Sequence, residues 1–308
     1  MKMNYTYSII IPHYNSPELL KRMLASIPER DDIQILVIDD YSTSENVSKV
    51  KALSHKNLEI VFLKQNRGAG YARNVGLERV KGKWVSVVDA DDVYDKDTFS
   101  ILDQYIKQEG VDYFCFRVGI YNKNTGKFEM AQITSNESVT NYMNHPNQKT
   151  LKNFRFRNGV CWNKVVSYDY IQKYHIRCEE CMVNNDDLYA ILVSLYAKKC
   201  VIIDKLLYHI IGNENSITRK NRDIPREFLF YLQAQKRNQM FKKLGYGFPL
   251  YRSNLMYALF FLKKRGLCDT FRFFKYRKEH LEEIKKSKDV YSRYLKEVDI
   301  DMLKKTLI

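Results

Sequence analysis

Trp84-Val85-Ser86-Val87-Val88-Asp89-Ala90-Asp91-Asp92 is the stretch that decides the fold. Its first five residues read as a buried β-strand, because apolar side chains without polar alternation suit a strand covered on both faces. The strand then runs straight into three carboxylates, with Asp95 close behind. Like charges at that spacing repel, and each is costly to desolvate. A cation is therefore expected beside them, either a basic side chain or a metal ion.

Upstream of this stretch the pattern alternates. Tyr7–Ile11 is a β-branched run and the first buried strand. Ser16 stands where it can cap a helix that has Pro17 at its first position, and Leu19, Leu20, Met23, Leu24 and Ile27 follow at helical spacing. Ile33–Ile38 is a second strand, ending at Asp39-Asp40, and residues 46–53 suit a short helix. Leu58–Leu63 is a third strand, and residues 69–81 a helix with Ala72, Val75, Gly76 and Val80 inward. Such strand–helix alternation predicts an α/β fold, a Rossmann-like, mostly parallel sheet with flanking helices. Beyond residue 96 the spacing predicts a helix over 96–109, strands over 112–121 and 127–133, a helix over 186–198, and strands over 201–203 and 208–211. From residue 225 onward it predicts helices.

In open α/β sheets ligands bind at the carboxyl ends of parallel strands. Those ends here are Pro12-His13-Tyr14-Asn15, Asp39-Asp40 and Asp89-Ala90-Asp91-Asp92. Asp39 or Asp40 alone could serve as a turn or helix cap. Three acids exceed what a cap needs. A hard cation such as Mg²⁺ or Mn²⁺ takes oxygen ligands and often bridges carboxylates to phosphates. On an extended chain Asp89 and Asp91 share a face, with Asp92 opposite. No Gly-x-x-x-x-Gly-Lys loop or Gly-x-Gly-x-x-Gly fingerprint is present.

SIIIPHYN (8–15), LVIDDYSTSE (36–45), NRGAGYARNVGL (66–77), VDADD (88–92), CWNKVVSYDYI (161–171), NNDDLYA (184–190) and LYHIIGNENSITR (207–219) together resemble the inverting family 2 nucleotide-sugar glycosyltransferases of the GT-A fold. The ordered set covers about residues 5–220. The resemblance implies that Pro12, Tyr14 and Asp40 line a nucleobase and ribose pocket, with Asn15 and Asp39 beside them. It implies that Asp89, Ala90, Asp91 and Asp92 form the metal and donor-sugar motif, with Mn²⁺ or Mg²⁺ on the acids. Trp162 and Asn163 would border donor sugar and acceptor. Asp187 matches the catalytic base, although this chain reads Asn185-Asp186-Asp187 where Gly-Glu-Asp is usual, so Asp186 is its rival. Arg73 would either position the diphosphate or pair with Asp39 or Asp89. The implied partners are a nucleotide-sugar donor, UDP-linked, and a glycan or lipid-linked acceptor of surface-polysaccharide synthesis.

Residues 1–218 carry 28 Lys and Arg against 26 Asp and Glu, whereas residues 219–308 carry 23 against 10. This shift predicts a catalytic domain over 1–220 and a basic helical region over 221–308. Basic residues interleaved with aromatics in 255–265 and 271–278 suit an anionic membrane surface better here than nucleic acid, which is not expected as a partner. A solvated helical bundle would give the same composition, and oligomeric state is left open. No leader or spanning run is evident, so a cytoplasmic location, peripheral at the inner membrane, is expected. Six cysteines fit reduced, mostly buried residues; Cys178 and Cys181 have CxxC spacing without a second pair to complete a zinc site. Two other classes stay in view. A nucleotidyltransferase would carry an early Gly-rich loop where strand one here ends in PHYN. A non-enzymatic basic membrane- or RNA-binding protein would show no nucleotide-sugar affinity.

Overall fold

The computed structural model describes residues 4–122, 124–211, 223–244 and 254–288. The chain divides into two compact units, Met1–Glu214 and Asn215–Ile308. The expected boundary at 220/221 and residues 212–219 of the closing stretch lie outside the described residues.

The first unit is built on one nine-stranded sheet. Its N-terminal half comprises β1 (Tyr5–His13), β2 (Ile33–Asp39), β3 (Leu58–Phe62) and β4 (Gly82–Val87). They lie in the order β3-β2-β1-β4, all parallel. Every residue of β2 is buried, as its unbroken apolar run demands. The connecting helices are α1 (Pro17–Ala25), α2 (Ser44–Lys51) and α3 (Ala69–Leu77). A Cβ at Gly76 of α3 would run into the Ile10 side chain on β1, so this helix lies against the sheet at glycine distance. Ser16 occupies the N-cap position of α1 without the expected capping bond; its own N–H donates to His13 Nε2 (3.1 Å).

Past β4 the sheet becomes mixed. β5 (Val93–Tyr94), β6 (Tyr113–Asn122), β7 (Lys127–Met130), β8 (Lys164–Ser167) and β9 (Cys200–Ile210) continue it as β4-β8-β6-β9-β5, with β7 beside β6. β8 is antiparallel to β4 and β6, and β6 runs parallel to β9. The two strands expected over 201–203 and 208–211 are one. β9 stays continuous through a register shift at Arg117, whose Nε reaches the Asp204 carboxylate (2.6 Å). The helices here are α4 (Thr98–Tyr105), α5 (Thr134–Asn144), α6 (Gln148–Arg157), α7 (Tyr168–Lys173) and α8 (Asp187–Tyr196). The chain leaving β4 crosses to β5, which pairs with β9 at Tyr208 and His209. The acids lie in that crossing, directly after the end of β4.

The second unit contains α9 (Ile224–Lys243), α10 (Asn254–Glu279) and α11 (Leu281–Lys288). Asp223 caps α9 by accepting the Arg226 N–H (2.9 Å). Phe228, Tyr231, Leu232, Tyr257, Phe261, Phe273 and Ile284 are buried together. α10 breaks at Gly266, whose φ of 77° suits glycine. Among the described residues no helix is long and apolar enough to cross a membrane.

Candidate active site

At the end of β4 the chain turns at Ala90-Asp91. Ligand oxygens of Asp89, Asp91 and Asp92 all lie within 4.8 Å of one another. The extended-chain parity that put Asp92 on the opposite face therefore fails, because the turn rotates it back toward the other two. Tyr208 on β9 fixes the corner. Its hydroxyl donates to Asp92 Oδ2 (2.9 Å) and accepts the Asp89 N–H (3.1 Å). The Ile211 N–H donates to the other Asp92 oxygen (3.2 Å). Arg22 from α1 donates to the Asp91 carbonyl. Trp162 stacks on the Tyr208 ring, centroids 5.5 Å apart at 11°.

The repulsion expected from the sequence is present. Burial, then the charge of Asp89, pushes the Asp91 carboxyl above its usual range. Burial and the charges of Asp89 and Asp91 push Asp92 well above it, against the bonds from Tyr208 and Ile211. An all-oxygen donor set whose mutual repulsion Arg73 and Arg22 offset only in part fits a hard divalent cation. Among the described residues these three acids are the one such group of potential ligands. Cys178 is buried, and Cys181 Sγ donates to the Val183 carbonyl (3.1 Å).

The compensating cation expected beside the acids is Arg73 on α3. Its Nη2 reaches Asp89 Oδ1 (2.6 Å), and its Nη1 bonds the Asn185 side chain. One buried guanidinium thus ties the acid corner to the segment holding Asp186 and Asp187. α3 clamps that segment elsewhere too. Asn74 pairs its amide with the Cys178 carbonyl (3.0 Å) and N–H (2.9 Å). A Cβ on Gly70 would overlap the Glu179 carbonyl oxygen. Asp187 is buried at the first position of α8. Asp186 is half-buried at the N-cap, in helical φ/ψ, and its side chain does not cap the helix.

The ends of β1 and β2 share this sheet edge, since β1 runs parallel to both β2 and β4. Asp39 is fully buried and accepts from His13 Nδ1 (2.7 Å), Ser42 N (2.8 Å) and Ser42 Oγ (2.7 Å). Burial opposes its ionisation, but these bonds outweigh it and hold the carboxyl below the usual range. Asp40 is buried and accepts the N–H groups of Arg67 (2.9 Å) and Gly68 (2.7 Å). Both acids thus organise loops. Asn15, in the left-handed region at φ 49°, accepts the Thr43 N–H (2.8 Å) through its side chain. Pro12 is buried, and Tyr14 is 53% exposed. Ala90 is buried and Trp162 9% exposed, at the corner itself. Asn163 is 0% exposed, bonded to Asn158 (3.1 Å) and to buried Lys164 (3.0 Å). It lies in the interior, one residue from the ring at the corner. Tyr208, Gly70 and Asn74 were not singled out from the sequence as site residues. Gly70 and Asn74 fall within the quoted NRGAGYARNVGL stretch and Tyr208 within LYHIIGNENSITR, which were the available signals.

A parallel β3-β2-β1-β4 half-sheet, extended by mixed strands and ending in an acid corner, is the architecture of the GT-A fold. The chain belongs to glycosyl transferase family 2, whose sequence model matches residues 8–174, more than half of it. It is 30% identical over 118 residues to poly(ribitol-phosphate) beta-N-acetylglucosaminyltransferase TarS of Staphylococcus aureus, covering 36% of this chain and 21% of TarS. Over 278 residues it is 24% identical to glycosyltransferase GlyA of Streptococcus pneumoniae, covering 85% and 39%. Over 215 residues it is 24% identical to the minor teichoic acid biosynthesis protein GgaB of Bacillus subtilis, covering 67% and 23%. The chain thus spans well under half the length of these relatives. The solved structure of S. aureus TarS 1–349 with UDP-GlcNAc shares the fold at TM-score 0.58 and 22% identity, over 76% of this chain and 65% of that one. The Pyrobaculum calidifontis mannosyltransferase PcManGT, solved with GDP-Man and Mn²⁺, shares it at TM-score 0.51 and 14% identity, over 99% and 87%.

Proposed function

We propose that the chain transfers a sugar from a UDP-sugar, with inversion, to a hydroxyl of a glycan or lipid-linked acceptor in surface-polymer synthesis. The observation that carries this reading is the Arg73 bridge, which ties the acid corner to the segment bearing Asp186 and Asp187. The names of TarS and GgaB support the polymer class, and UDP-GlcNAc in a TarS structure supports the donor. Residues 1–220 would carry the chemistry, with 221–308 as a basic helical appendage at the cytoplasmic face of the membrane.

Asp89 and Asp91 would hold a Mn²⁺ or Mg²⁺ ion with Asp92, whose oxygens Tyr208 and Ile211 already orient. When bound, such an ion supplies positive charge against the leaving diphosphate. Arg73 holds Asp89 in place. Tyr14, exposed beside buried Pro12, offers a ring to a nucleobase, with Asp39, Asp40 and Asn15 shaping the loops around it. Trp162 borders the sugar, and Asn163 supports it from within. An acceptor hydroxyl is a weak nucleophile, so a carboxylate must take its proton, and Asp187 is assigned that role.

Asp187→Asn should lower kcat by roughly 10²- to 10⁴-fold with donor binding unchanged. Product analysis by NMR should show an inverted anomeric carbon. If Asp186→Asn shows the large loss and Asp187→Asn does not, the base is Asp186.

A further inference from the structure

The first segment of α10, up to the break at Gly266, is apolar on two sides. Tyr257 and Phe261, four residues apart, are buried in the core of the second unit. Leu255, Leu259 and Leu262 stand at i, i+4 and i+7 on another side, exposed at 69%, 57% and 45%. Beyond the break Leu267 and Phe271, also four apart, are 76% and 75% exposed. A helix that already buries one apolar stripe has no folding reason to carry a second in water. Exposed Lys263 flanks the stripe, whereas Lys264 lies toward the side of Tyr257 and Phe261, its Nζ over the Phe260 ring (5.3 Å). Asp269 is the one acid between residues 254 and 278, and Arg265 (2.9 Å) and Arg272 (3.6 Å) flank it as ion pairs.

We propose that α10 docks flat on an anionic lipid bilayer, with Leu255, Leu259 and Leu262 in the acyl boundary and the flanking Lys263 at the headgroups. A soluble polyanion would use the lysines and leave the leucines in water. The surplus of 23 basic against 10 acidic residues over 219–308 selects an anionic surface over a neutral one. No described helix is long and apolar enough to cross a membrane, so the helix lies in the interface plane.

Cosedimentation of the full chain with phosphatidylglycerol-containing and with pure phosphatidylcholine vesicles tests this. The wild type should pellet with the former and not the latter. Leu255→Ser/Leu259→Ser/Leu262→Ser should weaken that binding roughly tenfold or more, with circular dichroism unchanged because the replaced side chains are exposed. Lys263→Gln should weaken it separately and make the remainder less sensitive to salt. Equal pelleting by the leucine variant would overturn the proposal. So would binding abolished by soluble polyphosphate and indifferent to the leucines, which would make the ligand a soluble polyanion. A dimer lost on the leucine changes, without vesicle binding, would assign the face to a second copy. Vesicle binding is read without turnover, so its failure leaves the glycosyl-transfer reading intact.

Discussion

Tyr208→Phe removes one oxygen atom from the fixture that holds the acid corner. The ring stays, with its stack on Trp162 and its edge contact to Tyr94, centroids 5.7 Å apart. Two hydrogen bonds are lost, one donated to Asp92 and one accepted from the Asp89 N–H. A bond to a carboxylate contributes about 1.5–3 kcal/mol and a neutral one about 0.5–1.5 kcal/mol. Asp92 already has a raised pKa and can take up a proton when its donor is gone, which relieves part of the loss. The expected net destabilisation is about 2 kcal/mol, a fall in Tm of roughly 4–8 °C for a body of this size. It should be larger at mildly alkaline pH, where Asp92 must stay ionised, than at acidic pH. Differential scanning fluorimetry reads the stability, and titration with Mn²⁺ and UDP reads the corner. Metal-assisted UDP binding should weaken while any metal-independent part is kept. An unchanged Tm at both pH values, with unchanged metal-assisted binding, would refute the claim that Tyr208 positions the acids.

Two other outcomes follow from the same geometry. Asp91 and Asp92 hold protons more tightly in the folded body than in the unfolded chain, so without metal their share of stability grows as pH falls through their raised pKa values. Mn²⁺ binds the ionised form, so the Tm gain it gives should be greatest above that window and shrink on acidification; a gain independent of pH would place the ion elsewhere. Gly70→Ala puts a methyl group into the Glu179 carbonyl and displaces the segment that leads to Asp187. A shift of about 1 Å there should lower kcat by roughly 10²-fold with most of the fold retained, and steady-state kinetics beside circular dichroism would detect it.

The parallel half of the sheet was legible because β1 to β4 are unbroken apolar runs separated by helical periods. The mixed half was not. Asp204-Lys205 interrupts the apolar pattern of β9, and their place in a register shift against Arg117 exists only once β6 is alongside. α5 and α6 are polar enough to read as loop, although Asn147 and Thr150 form a capping box at the start of α6. At the site, the acids announced themselves by repulsion, but their arrangement did not. Asp92 joins the other two through a turn, where strand parity gives the wrong face. Tyr208 meets Asp92 across 116 positions, and Asn74 meets Cys178 across 104. Contacts that long leave no trace in local periodicity. Arg73 pairs with Asp89, one of the roles the sequence leaves open to it. Asn163 carries a polar side chain next to Trp162, and nothing in the sequence separates an interior amide from one that faces a ligand.

The central claim is that the corner of Asp89, Asp91 and Asp92 binds a nucleotide diphosphate through a divalent cation. Calorimetric titration of UDP into the wild type and into Asp91→Asn, each with Mn²⁺ and with excess chelator, tests it directly. The account predicts that Mn²⁺ tightens UDP binding to the wild type by roughly tenfold or more, a coupling of about 1.4 kcal/mol, and that Asp91→Asn loses this gain while keeping its fold. Equal UDP affinity in Mn²⁺ and in chelator, or a full Mn²⁺ gain in Asp91→Asn, would contradict it.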